Sequence, residues 1–314
     1  MWIFDTFTAA LVWLGRQGTR ALAAFVFIGI AIPWVGALLK PFVTEAVFVL
    51  LCVAFLRMDT VAFRSYLRKP FIVLAATAWT SALIPLLFGL GSLAVGLPDK
   101  APELHLALML QAIASPMVAS PALAALMGLD ATLVLAGLLT STALVPFTAP
   151  LFATIFVGPE LSLSPPMLGT KLLAILGGAA LVGFAVRRIF GMDAVFRNKG
   201  AIDGVNMIAF FVFLAAIMGD VGRWFLTAPV FTTALLALAF LVFGAFFFLT
   251  ALLFGPAGGK QALALGFMVS QRNMGLMLAA TGGLLPDLTW LYFALAQFPI
   301  YFSPYIFTRM RGGP

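Results

Sequence analysis

Arg272 sits in the stretch FMVSQRNMGLML at 267–278, with Gln271 and Asn273 beside it and apolar residues beyond them. A guanidinium offers a rigid fork of N–H donors, which suits a carboxylate. A second polar interruption, QAIASPMVASP at 111–121, carries Gln111, Ser115, Pro116, Ser120 and Pro121. Hydroxyls and amides of this kind orient a ligand, and they equally pack between membrane helices. The chemistry these residues suit is binding. Arg272, Asn273, Ser120, Ser115, Gln271 and Ser270 are the candidate substrate-binding residues, with Pro116 and Pro121 as helix-breaking positions. Thr140, Ser141 and Thr142 form a further polar cluster, for which helix packing is the competing explanation.

Catalysis finds little to hold. The sequence has no HExxH, no paired-Asp metal motif, no glycine-rich phosphate loop and no Ser/His/Asp set. His105 is the single histidine and reads as an interface residue beside Glu103. Cys52 is the single cysteine, so a disulfide within the chain and a thiolate metal cluster are both excluded. The chain reads as no enzyme, with no metal and no cofactor. Its net charge is +7, but the basic residues stand singly or in pairs at segment ends rather than on a basic face, so nucleic acid is not an expected partner.

The elements that position these residues follow from composition. The chain has 314 residues, of which 63% are hydrophobic and only 9% charged, against roughly 25% charged in soluble domains. Its mean hydropathy is +1.13. A soluble core cannot absorb so much apolar surface, so membrane lipid is the expected solvent. The apolar runs are continuous, without the period-two alternation of a barrel, which makes the expected fold an all-α polytopic membrane protein.

Ten transmembrane helices are read at 20–40, 42–57, 70–96, 103–127, 130–157, 166–188, 204–222, 230–254, 258–283 and 288–308. Residues 1–19 read as an interfacial segment, whose Arg16 and Arg20 follow the apolar run, unlike a signal peptide. With the N-terminus inside, 13 of the 18 basic residues face the cytoplasm and four face out, leaving Arg272 in the membrane. Both termini are then cytoplasmic. The run RMDTVAFRSYLRK at 57–69 reads as a basic connector on the inner leaflet.

Five spans on each side give two inverted five-helix repeats, 20–157 and 158–314, a plan common among transporters. VPFTAPLF at 145–152 resembles FPIYFSPYIF at 298–307, with prolines paired in each. Helices four and nine carry the polar interruptions. A helix broken in hydrocarbon must line a cavity or be buried in protein, so four and nine are expected to break and cross at a central binding site.

Arg272 lies 14 residues from Gly258 and 11 from Gly283. At ~1.5 Å per residue it is roughly 15–20 Å from either surface. The acidic residues all fall at span ends or in loops, so the arginine has no evident carboxylate partner. Two partners remain open: the carbonyl end of a half-helix, where the dipole is negative, or an anionic substrate.

RNMGLMLA at 272–279 and ASPMVASPALAALMGLDATLVLAGLLTSTALVPFTAPLF at 114–152 resemble the bile acid:sodium symporter family, within the wider superfamily of ten-helix bile, arsenite and riboflavin carriers. The resemblance runs from about 20 to 310. It implies a panel of spans one, two, six and seven, and a core of spans three, four, five, eight, nine and ten. It also implies alternating access and organic anions as substrates. The sodium-using pattern places a glutamate and a glutamine in span nine, at positions held here by Met268 and Arg272. Its Ser-Asn pair in span four falls on Ser120 and Pro121, its span-five ligands on Val134 and Leu138, and its span-three glutamine near Thr80, which joins the candidate binding set. The arsenite exporters rely on a span-four cysteine that this chain lacks.

The expected function is therefore secondary transport of a small or amphipathic organic anion, not coupled to sodium, in a bacterial inner membrane. The alternatives are a sodium:organic acid symporter with relocated ion sites and, in another class, a non-transporting membrane sensor or membrane-embedded lipid enzyme.

Overall fold

The computed structural model describes residues 2–58, 70–158, 161 and 163–310, so most of the connector at 57–69 lies outside the described residues. The described chain is helical, and its one β pairing is a single isolated bridge. Six stretches are long and apolar enough to cross a membrane: Pro33–Leu56, Pro70–Ala94, Ala131–Val157, Pro165–Arg197, Lys199–Thr227 and Pro229–Leu253. Large apolar side chains face outward along them, Leu226 at 87% exposure among them. In water that surface would be costly; in lipid it is the solvated face. The chain is thus an all-α polytopic membrane protein.

The chain divides into two compact units. The first comprises Met1–Met58, Leu173–Ala228 and Leu278–Gly283. It contains α1 (Trp2–Ala31), α2 (Pro33–Leu39) and α3 (Val43–Leu56), the larger part of α10 (Pro165–Arg197), then α11 (Lys199–Met218) and α12 (Val221–Thr227). Helix α1 packs along α11 through glycines. A Cβ on Gly15 would lie 2.7 Å from Asp203 Cβ, and one on Gly204 would run into the Leu11 carbonyl. Such small-residue contacts let membrane helices approach by backbone, where dispersion and packing replace the hydrophobic drive. An ion pair, Arg57 Nη1 to Asp203 Oδ1 at 2.6 Å, ties α3 to α11. Arg187 Nη1 donates to the Met58 carbonyl at 2.9 Å.

The first two spans differ from expectation. The sequence reading divides them near residue 41, on the strength of Lys40. The helix instead breaks at Ile32, where Pro33 opens α2, and the chain then continues through a 3-10 turn at Lys40–Phe42 into α3. Proline lacks an N–H and takes the first turn of a new helix readily, whereas the Lys40 ammonium reaches Asp220 at 3.9 Å.

The second unit comprises Asp59–Leu172, Pro229–Met277 and Leu284–Pro314. Helix α4 (Pro70–Ala78) runs through a π turn at Trp79–Leu83 into α5 (Ile84–Ala94), followed by the short α6 (Leu97–Lys100). Two half-helices follow, α7 (Pro102–Ile113) and α8 (Ser120–Leu126). Next comes α9 (Ala131–Phe152), whose N-cap Asp130 accepts from Leu133 N, closing with a π turn at Ala153–Val157. Helix α13 (Pro229–Leu253) leads to another broken pair, α14 (Gly259–Ser270) and α15 (Met274–Thr281). Helices α16 (Asp287–Leu295) and α17 (Gln297–Met310) close the described chain. The division into units separates the spans as the panel and core of the resemblance do, apart from 166–172 of span six in the second unit and Leu278–Gly283 of span nine in the first.

Candidate functional site

Helix α7 stops because Pro116 has no N–H to donate and restricts Ser115 before it; Ala114 is already extended at φ −63°, ψ 149°. Helix α14 stops at Gln271, at φ −84°, ψ 81°. The two breaks meet. Met117 N donates to Gln271 O at 2.6 Å, and Asn273 N donates to Ser115 O at 2.8 Å. This antiparallel bridge pairs Pro116 with Arg272. Each broken helix thereby satisfies backbone groups of the other, which hydrocarbon would leave bare at a cost of several kcal/mol each.

Arg272 is 1% exposed and lies inside the second unit. Its Nη1 donates to Ala114 O at 2.8 Å and to Thr80 O at 3.4 Å. The first carbonyl caps the C-terminal end of α7, where the helix dipole is negative. The second belongs to the π turn at Trp79–Leu83, a wide turn of the kind found as local bulges within α-helices. The guanidinium carbon lies 4.8 Å from the centroid of the Phe246 ring on α13. One cation thus binds three elements besides its own. Of the two partners the sequence leaves open, the half-helix carbonyl end is the one in contact.

The other candidates divide by partner. Asn273 is half-exposed, and its Oδ1 accepts from Leu276 N at 3.0 Å, capping α15. Gln271 is buried and donates to Ser303 Oγ at 2.7 Å. Ser270 Oγ bonds Phe267 O in its own helix, and Ser120 Oγ bonds Met117 O. Thr80 Oγ1 and Ser115 Oγ are buried with no partner among the described residues, as are Ser141 Oγ and Thr142 Oγ1. Pro121 does not interrupt a helix: it lies in the first turn of α8, where its missing N–H costs nothing. His105 is not an interface residue. It is fully buried, with Nε2 2.7 Å from the Phe156 carbonyl.

Several contacts escape sequence reasoning. Tyr292 Oη donates to Gln111 Oε1 at 2.6 Å, and Trp79 Nε1 donates to Thr250 Oγ1 at 2.8 Å. Both join residues more than 150 positions apart, and a buried Tyr or Trp is the only hint the sequence carries.

Residues 44–228 match the sodium bile acid symporter family. That is more than half of the chain. The chain belongs to the sodium bile acid symporter family. A search of curated proteins gives no significant match.

Membership raises the question of sodium. A hard cation requires several oxygen ligands. Met268 and Val134, at two positions the resemblance assigns to such ligands, are buried in one apolar cluster with Phe246 and Phe267. A Cβ on Gly137 would lie 2.7 Å from Met268 Sδ, so thioether occupies the space beside α9. Leu138 is also buried. With the Arg272 charge on the nearby carbonyls, this donor set does not fit a sodium ion.

Proposed function

We propose that the protein is a secondary carrier of a small or amphipathic organic anion, in which Arg272 replaces the sodium ion as a built-in cation. Its family consists of membrane transporters, and transport of a small molecule is the general reading this supports. The observation that carries the specific reading is the grip of Arg272 Nη1 on Ala114 O and Thr80 O at the crossing of two broken helices. Carbonyls converging in apolar surroundings call for a cation, and a tethered guanidinium supplies one without an ion from solution.

In this reading ten spans form two inverted five-helix repeats, 20–157 and 158–314, and the second unit moves in alternating access. Both termini lie on the cytoplasmic side of a bacterial inner membrane, as the 13-to-4 distribution of Lys and Arg favours. The substrate's negative group is drawn to the crossing, near half-exposed Asn273 at the N-terminus of α15. Ser115, Ser120, Thr80, Gln271 and Ser270 complete the polar surroundings.

The test is uptake of radiolabelled organic acids by proteoliposomes, with and without a sodium gradient. Uptake that proceeds at the same rate in sodium-free buffer is expected. Uptake that requires sodium would return the protein to symport with relocated ion ligands.

A further inference from the structure

The Nη1 group of Arg272 spends both of its protons on the carbonyls of Ala114 and Thr80. Nε and Nη2 have no hydrogen-bond partner among the described residues. These two nitrogens form the side-on fork of the guanidinium, the pair of parallel N–H bonds that binds an anion in bidentate fashion. No Asp or Glu is buried among the described residues, so no carboxylate among them meets this fork. Three buried hydroxyls without a partner lie on residues that carry or adjoin the gripped carbonyls: Thr80 Oγ1, Ser81 Oγ and Ser115 Oγ. Each can donate to an anion as a hydroxyl donor.

We propose that the Nε/Nη2 edge of Arg272, with hydroxyls of this group, is a binding site for a small monovalent inorganic anion, with chloride as the physiological candidate. This rests on reading Arg272 as the built-in cation, and it adds the counter-charge that reading lacks. Size follows from enclosure. Arg272 is 1% exposed, and Phe246, Phe267 and Met268 around the site are at 0%, so a molecule of many atoms has no way in from this state. A halide or an ion of similar size is the class of anion such enclosure suits. The carbonyl dipoles hold one edge of the guanidinium, the anion holds the other, and the buried charge is neutralised within the second unit.

The experiment uses the purified full-length protein in detergent and sodium-free buffer, comparing potassium chloride with potassium gluconate at equal ionic strength. The six tryptophans report unfolding by fluorescence. Chloride is expected to raise the melting temperature saturably, by about 2 °C at ten times its dissociation constant. Arg272→Gln is expected to abolish the chloride effect. Because that variant also loses a structural contact, Ser115→Ala serves as the second: it should fold and bind chloride about tenfold more weakly. Crystals grown with bromide should show anomalous scattering beside Nε and Nη2.

Equal melting in chloride and gluconate overturns the proposal. A rise with organic carboxylates but not with chloride also overturns it, assigning the fork to the substrate while leaving the carrier reading intact. A chloride effect without uptake of any organic acid leaves the anion site standing and removes the carrier reading.

Discussion

Replacing Arg272 with methionine tests whether the arginine holds the crossing together. The change keeps an unbranched chain of similar length and removes every donor. Two carbonyls, Ala114 O and Thr80 O, then lose the group that bonds them. At ~1.5 kcal/mol each for a buried acceptor left bare, that costs about 3 kcal/mol. Loss of the cation from the Phe246 face costs about 2 kcal/mol in a dry setting. Against this, removing a charge from mid-membrane returns about 3 kcal/mol. The net is a destabilisation of about 2 kcal/mol, which for a protein of this size lowers the melting temperature by about 3 °C.

Lysine at the same position separates charge from geometry. It keeps the cation but gives up the rigid planar fork, and it is expected to fall between wild type and Arg272→Met. The assay is tryptophan fluorescence of the purified proteins during heating. A methionine variant that melts at or above the wild-type temperature would refute the argument, since the carbonyl contacts would then be worth less than the buried charge costs.

Three further substitutions reach other parts of the structure. Asn273→Ala removes the cap on Leu276 N and is expected to cost about 1 kcal/mol, whereas Asn273→Ser retains a capping oxygen and most of the stability; uptake lost in the serine variant despite intact melting would mark Asn273 as a substrate contact. Tyr292→Phe leaves Gln111 Oε1 buried without its donor and should cost about 1–3 kcal/mol, read as a lower melting temperature. Gly204→Ala puts a methyl into the Leu11 carbonyl and should cost about 1–3 kcal/mol by forcing α1 from α11, with interhelical cross-linking of the two helices as the check. The double variant Met268→Glu with Arg272→Gln restores a carboxylate where the family resemblance has a glutamate and frees the two carbonyls that Arg272 holds. It should melt higher in sodium chloride than in choline chloride, a difference the wild type should lack.

How much of this was legible in the sequence depends on how far each interaction reaches. Arg272 and the break at Pro116 announce themselves locally, because a charge and a missing N–H are both costly inside an apolar run. The carbonyls that receive the charge do not. Every residue has a carbonyl, and nothing in the letters Ala114 or Thr80 says that one ends a half-helix and the other belongs to a π turn. Phe246 is one of 32 phenylalanines, and only the fold sets it beneath the guanidinium. The Ile32–Pro33 break escapes the sequence because Lys40 looks like a boundary marker, yet a lysine near a membrane helix can reach an acid such as Asp220 while the chain stays helical. His105 reads as an interface residue on the strength of neighbouring Glu103, although histidine is intermediate in burial preference and finds a carbonyl as readily as water.

The two breaks also explain why a cation belongs at this place at all. A helix interrupted in hydrocarbon exposes acceptors at the end of its first half and donors at the start of its second. Where two such helices cross antiparallel, backbone donors and acceptors can pair once, as Met117 with Gln271 and Asn273 with Ser115. That pairing uses the carbonyls of Ser115 and Gln271 but leaves Ala114 O outside the bridge. A positive charge is the remaining way to satisfy it. A free ion would bind only at sufficient concentration and would shed its hydration on entering. An arginine within the bridge itself is present at every moment, and its Nη1 reaches a second helix as well. The position of Arg272, directly opposite Pro116 in the bridge, is what lets its Nη1 reach back two residues to Ala114 and across to Thr80. A cation placed a turn further along α15 would point away from both.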